Sequence, residues 1–386
     1  MFVNSTSQKE VEQDIDSFIK DQHTQGDRNR LSAKLKGVKI CDTDREKRLL
    51  KVIQQDLHIL ERIDVSGIPG ELDIKWKKLT TSEPNRFLNE DRSPKADVLR
   101  NFRKLSIFIP DVPTCDLSGT NPINIVSGGR RGARKLLCEN LEMLKDRKCL
   151  DLLKKYPVSR IGNPNVFIKE GYEYTHRWTK HIYSLSLFKK YLESELTNDF
   201  VLLDLGSSYG IFSYLIKKEY PKTTHILVDF PEQLTLAHYF LGMSFPEAKI
   251  ATVSDLKDIA ALTNNTISEY DFLLVPWFYY DKLRSIKIDV YANFASLGEM
   301  RREWFDFYLS HPVFKSAKCL FMMNSFMSGQ VYDNDLTFLD YPFRDFDQLY
   351  LGIWPYSHYT YDKKQFFFYE KVCFASQYFE YIGKRK

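Results

Sequence analysis

An α/β fold with a mostly parallel sheet is predicted by three observations in this 386-residue sequence. The first is the apolar run Val201-Leu202-Leu203-Asp204-Leu205, which breaks at Gly206-Ser207-Ser208-Tyr209-Gly210 and continues as an amphipathic segment through residue 220. A buried parallel strand hands over to a helix in this way. The second is His225-Ile226-Leu227-Val228-Asp229, a matching run that ends in another acid one βαβ length later. The third is the recurrence of short apolar runs at 248–253, 270–275 and 319–324, separated by segments of helical period.

Taken in order, residues 1–26 are polar with a weak helical pattern, and the basic, turn-rich stretch 27–39 reads as a solvated linker. Leu50, Ile53, Leu57 and Leu60 recur at three- and four-residue steps, which predicts a helix over 43–63 that stops before Gly67 and Pro69. Pro94, Pro110 and Pro113 mark a loop region holding one short strand at 105–109. Gly128-Gly129-Arg130-Arg131 then opens a helix over 133–153; the arginines there either cradle a diphosphate at the helix start or are plain exposed charges. A loop tipped by Gly162-Asn163-Pro164 leads to Tyr172–His181 and a helix ending near 195, directly ahead of the first strand.

After the second strand, a helix over 232–243 precedes the strand 248–253, which is expected to end at Ser254-Asp255. Asp255 there either faces a ligand or caps a helix over 256–262. The strand 270–275 ends in Pro276-Trp277 and is expected beside the first strand, at the topological switch point. Runs at 349–353 and 365–371 are expected to close the sheet, with a disordered basic end from Gly383 onward. The organisation expected is a helical, partly linker region at 1–120, a helical cap at 121–195 and the sheet domain at 196–386.

With 55 Lys+Arg against 51 Asp+Glu, the net charge of +4 argues against a duplex nucleic-acid groove. The six cysteines contain no C-x-x-C pair, so neither a zinc site nor a disulfide framework is implied. No signal peptide and no membrane span are evident, and the expected location is the cytoplasm. Stable membrane insertion is not expected, whereas a homo-oligomer is compatible with the sequence.

The bend Asp204-x-Gly206-x-x-x-Gly210 resembles motif I of the class I S-adenosylmethionine (SAM) methyltransferases. More specifically, Asn293-Phe294-Ala295-Ser296-Leu297-Gly298-Glu299-Met300, with Gly162-Asn163-Pro164 and Asp229-Phe230-Pro231, resembles the bacterial sugar O-methyltransferases over about residues 120–330. The resemblance implies a Rossmann-like, seven-stranded sheet with an α-helical N-terminal region, and SAM as cofactor. Asp204, Gly206, Ser207, Ser208 and Gly210 would then hold SAM at the bend, with Asp229 and Phe230 at the ribose. Asp255 would sit at the adenine, and Pro276 and Trp277 at the transferred methyl group.

Arg177, Asn163, Asn293, Ser296, Arg130 and Arg131 are the candidates for holding a sugar or nucleotide-sugar acceptor. An alcohol must lose its proton during methyl transfer, and His176, His181, Glu299 and His311 are the candidate bases. Ser296 and Glu299 also fit a helix capping box. A magnesium-assisted route through Asp271, Asp281 or Glu299 stays open, without a clear ligand pattern. Two alternatives stand beside sugar methylation: SAM-dependent methylation of another small molecule, and a non-catalytic nucleotide-binding subunit.

Overall fold

The computed structural model describes residues 43–63, 89, 93–105, 130–328, 334–356, 358–363, 369–374 and 378–386. The predicted linker, the Gly128-Gly129 turn and most of the proposed 105–109 strand lie outside them; Leu105 itself ends a short helix.

The chain opens with α1 (Thr43–Leu60), α2 (Ala96–Arg100), α3 (Phe102–Leu105), α4 (Arg130–Asp146) and α5 (Leu150–Lys155). The hairpin β1 (Phe167–Lys169) and β2 (Tyr172–Tyr174) leads into α6 (His176–Tyr191). Alternation then follows: β3 (Val201–Leu205), α7 (Ile211–Glu219), β4 (Thr224–Asp229), α8 (Pro231–Ser244), β5 (Ile250–Ala251), α9 (Val253–Leu256), α10 (Asn264–Ile267), β6 (Phe272–Pro276) and β7 (Val290–Phe294). The remainder is α11 (Arg302–Ser310), α12 (Pro312–Ser316), β8 (Cys319–Ser325), β9 (Phe346–Ile353), β10 (His358–Lys363), β11 (Tyr369–Phe374) and β12 (Tyr378–Arg385).

Eight strands form one sheet in the order β5-β6-β4-β3-β7-β8-β12-β9. All neighbours from β5 to β8 run parallel, and β12 alone is reversed, pairing antiparallel with both β8 and β9. Alternate residues of each strand feed two apolar layers. Leu202, Leu227, Leu274 and Ala292 pack beneath α6, α7 and α8, and Leu203, Ile226, Leu273 and Tyr291 pack beneath α11 and α12. Ile53 of α1 and Leu99 and Phe102 of α2 and α3 join the first layer.

Four expectations are corrected here. The strand beside β3 at the switch point is β7, not the 270–275 strand expected there; β6 lies one place further out, beyond β4. The sheet has eight strands rather than seven, because the two-residue β5 adds an edge. The closing reversed strand is β12, so Gly383–Arg385 is ordered, with Arg385 Nε donating to Ala317 O at 2.7 Å. Residues 369–371 belong instead to the separate hairpin of β10 and β11.

Candidate active site

The candidate site is the carboxyl edge of β3, β4 and β7. Gly206 (φ +73°) turns the chain off β3, its amide still bonding Val228 O at 2.8 Å, and Gly210 (φ +79°) opens α7. Between them Ser208 adopts φ +53°, a strained conformation for a residue with a Cβ. Asp229 holds it there: one carboxylate oxygen accepts from the Ser208 amide at 2.6 Å and the other from the Phe230 amide at 2.7 Å. Asp229 therefore shapes the bend as well as facing it.

Asp204 is buried beneath the bend, accepting from Ser213 Oγ at 3.4 Å. Burial, reinforced by the charge of Asp229, pushes its carboxyl up to about 7. Burial also pushes Asp229 up to about 7 against the pull of its two amide bonds. Ser207 Oγ is buried at the same bend with no hydrogen-bond partner. Two destabilised carboxylates and an orphaned hydroxyl around one turn fit a ligand that brings positive charge and hydrogen-bonding groups, as SAM does.

The opposite wall is the start of α6. Thr175 caps this helix, its Oγ1 accepting from the Trp178 amide at 3.2 Å. The helix runs antiparallel to the strands, since Phe188, near its far end, packs on Phe200 just ahead of β3. Its first turns therefore lie at the carboxyl edge. Arg177 Nη1 donates to Ser208 Oγ at 3.1 Å and lies 5.9 Å over the Tyr209 ring. His181 sits against Phe212 of α7 and Phe294 at the tip of β7, with Nδ1 buried and unpartnered. Burial, with Arg177 and Lys180 nearby, holds its imidazole well below the usual histidine range, so it is neutral at physiological pH. Lys180, absent from the sequence-based candidates, is pushed down to about 7 by burial and by Arg177. Its spacing of three from Arg177 was the available signal.

A second polar layer closes the β7 side. Asn293 is fully buried; its Nδ2 donates to Leu205 O at 2.7 Å, while its Oδ1 accepts from Leu297 N at 3.1 Å and Asn324 Nδ2 at 2.9 Å. Asn324 Oδ1 in turn accepts from the Ser296 and Gly298 amides, each at 3.2 Å. Fully buried, with its Oδ1 accepting two bonds and its Nδ2 donating to Leu205 O, Asn293 positions the loop after β7. A Cβ on Gly206 would lie 2.3 Å from Ser296 Oγ and 2.4 Å from Ser296 Cβ, so Ser296 itself occupies the close approach at that glycine. The expected capping box is not formed, since Ser296 makes no side-chain cap bond. Glu299 is half-buried, within electrostatic reach of Tyr378 at the start of β12.

Several candidates lie elsewhere. His176 turns away from the bend: its Nδ1 meets Asn140 Nδ2 at 2.7 Å and its ring abuts Tyr356. His311 caps α12, which leads into the amino end of β8, and faces Asp281 at 3.4 Å. Asn163 donates to Asn101 Oδ1 at 2.6 Å, tying its turn to the segment between α2 and α3. Asp255 completes the capping box of α9, accepting from the Thr252 amide at 2.9 Å; the cap residue is Thr252, not Asp255. Because β6 is one strand removed from β3, Pro276 and Trp277 stand on the β4 side. There Pro276 lines a cleft with Pro231, Asp56 and His238, and Trp277 packs edge-on against Trp304. The side chains of Arg130 and Arg131 lie outside the described residues.

Asp271 pairs with Lys217 at 2.6 Å, and Asp281 pairs with Arg284, both away from the bend. Among the described residues no group of three or more His, Cys, Asp or Glu side chains is arranged to hold a metal ion. No described helix is long and apolar enough to cross a membrane.

The parallel sheet with one reversed strand between β8 and β9, and the glycine bend at its switch point, define a Rossmann-like α/β fold. No family model matches the sequence, and no curated protein matches it. Solved structures similar to it include an O-methyltransferase family 2 protein from Planctomyces limnophilus, complexed with apigenin, at 11% identity and TM-score 0.30 over 55% of this chain and 62% of that one. The mitomycin 7-O-methyltransferase MmcR gives 10% identity and TM-score 0.30 over 54% of this chain and 57% of that one. TrmK of M. capricolum, complexed with S-adenosylhomocysteine, gives 9% and 0.28 over 53% and 68%. The chain thus spans less than two thirds of the first two.

Proposed function

We propose that this protein is a SAM-dependent O-methyltransferase whose acceptor is a sugar hydroxyl, on a nucleotide-activated sugar or a surface polysaccharide. The observation that carries the cofactor half is the bend itself, where Asp204 and Asp229 are both pushed up to about 7 around the orphaned Ser207 hydroxyl. The sugar half rests on the motif resemblance of residues 293–300.

SAM, when bound, supplies an already activated methyl group, so the protein's task is to align the acceptor and remove its proton. Asp229, on the second strand, is placed for the ribose hydroxyls. Arg177, across the bend and bonded to Ser208 Oγ, is assigned to the acceptor. His181 is the favoured proton acceptor of the four candidates, because its imidazole is neutral, its Nδ1 is unpartnered and its ring packs on Phe294 at the tip of the switch-point strand. Glu299, on the loop held by Asn293 and Asn324, is the second candidate. A general base of this kind contributes on the order of 10²–10⁴ in rate.

Calorimetry with S-adenosylhomocysteine tests the cofactor, and mass gain across a panel of nucleotide sugars, with and without chelator, tests acceptor and metal together. Failure to bind the nucleoside would remove the enzyme reading. Binding with methylation of a non-sugar alcohol would leave only the broader one.

A further inference from the structure

We propose that Arg177 and Lys180, with His181 beside them, form a subsite for an anionic group carried by the acceptor, a phosphate or a carboxylate. This rests on the methyltransferase reading above and names the kind of acceptor that site takes.

Residues 177, 180 and 181 share one face of α6, at its first two turns. Their neighbours fix where that face looks. Arg177 reaches Ser208 at 3.1 Å, Lys180 lies 5.8 Å over the Tyr356 ring that follows β9, and His181 touches Phe212 and Phe294. The three thus stand between the bend, the tip of β7 and the segment after β9, all at the carboxyl edge.

The charge there is unbalanced. Among the described residues no carboxylate lies within ion-pairing distance of Arg177, Lys180 or His181, and Lys180 Nζ makes no hydrogen bond. Elsewhere sheltered cations find an acceptor: Lys217 meets Asp271 at 2.6 Å, and Lys282 Nζ donates to the Leu256 carbonyl at 2.8 Å. Asp229 reaches Arg177 only through a longer-range Coulombic interaction, and half-buried cations held side by side with no closer carboxylate are unfavourable. Burial, and after it the Arg177 charge, pushes Lys180 down to about 7, and burial with both cations nearby keeps His181 neutral. A bound anion reverses both effects. It restores the lysine charge and raises the basicity of His181, the group assigned to accept the proton.

The cofactor's own carboxylate is the competing occupant, and the experiment separates the two. The full-length protein, saturated with S-adenosylhomocysteine, is titrated calorimetrically with inorganic pyrophosphate and, in a second arm, with malonate. The expected result is binding of at least one anion to the loaded protein. Lys180→Met should weaken it roughly tenfold or more, as for loss of a charge-assisted contact, and Lys180→Arg should restore it, with nucleoside affinity unchanged in both variants. The stronger arm identifies phosphate or carboxylate. The proposal is overturned if neither anion binds at millimolar concentration, if nucleoside and anion exclude one another, or if Lys180→Met binds the anion as wild type does. Failure of the nucleoside itself to bind is a separate outcome that strikes the methyltransferase reading, and the anion titration of the unloaded protein still decides the subsite.

Discussion

Gly206→Ala probes the bend most directly. At φ +73° an alanine is strained, by roughly 1–2 kcal/mol. The new methyl would also lie 2.3 Å from Ser296 Oγ and 2.4 Å from Ser296 Cβ. Rotating the serine removes only the first contact, because Cβ does not move with χ1. The backbone of the loop after β7 must then shift, against the hydrogen bonds from Asn293 and Asn324 that hold it. Overpacking of that kind costs about 1–3 kcal/mol, for a total of about 2–5 kcal/mol with the backbone strain. Ser296→Gly removes both clashing atoms and leaves only the strain. Urea unfolding of wild type, G206A, S296G and the double variant should therefore give a coupling of about 1–3 kcal/mol, and calorimetry should show nucleoside affinity falling in G206A and partly recovering in the double variant. Additive stabilities, or a G206A protein that unfolds at the wild-type urea concentration, would refute the placement of Ser296 on Gly206.

Three further predictions test other parts of the edge. Asp229→Ala removes the acceptors of the Ser208 and Phe230 amides; it should cost roughly 2–4 kcal/mol in denaturant unfolding and abolish measurable nucleoside binding, and unchanged affinity would remove Asp229 from the ribose contact. Asn293→Ala leaves Leu205 O, Leu297 N and the Asn324 amide without their partner in a fully buried layer; it should destabilise by about 3 kcal/mol, measured as the same urea shift, whereas a surface acceptor contact would leave stability intact. Glu380, fully buried against the Tyr183 and Tyr350 hydroxyls, is raised by burial from 4.5 to about 7. Its protonated form is the one the native state favours, so the stabilising contribution is complete below pH 4.5 and is lost as pH rises through about 7. Wild type should therefore lose about 3 kcal/mol relative to E380Q between those limits, and parallel stability profiles across that range would contradict the assignment.

What could be read in the sequence was what neighbouring residues decide among themselves. The apolar runs of β3 and β4 are buried on both faces, so composition alone marks them, and the glycines at 206 and 210 mark the bend because only local backbone geometry is at stake. The helices at 43–60 and 231–244 and the strand at 319–325 followed from their apolar content in the same way. Arg177 and His181 were within reach for a similar reason: they lie on the helix that immediately precedes the first strand.

The order of the strands was not available from such patterns. Whether β6 or β7 pairs with β3 depends on hydrogen bonds between segments far apart in the chain, and both have apolar stretches fit for a buried position. That one choice moved Pro276 and Trp277 to the β4 side and brought Asn293 and Ser296 to the switch point. The polar latch needed Asn324 from a third strand, and the last residues became a strand only because β8 and β9 leave a gap that a reversed partner fills. Local sequence set the bend and its acids, whereas tertiary packing decided what surrounds them: which side chains are buried without a partner, and so which carboxylates and cations are left for a ligand to satisfy.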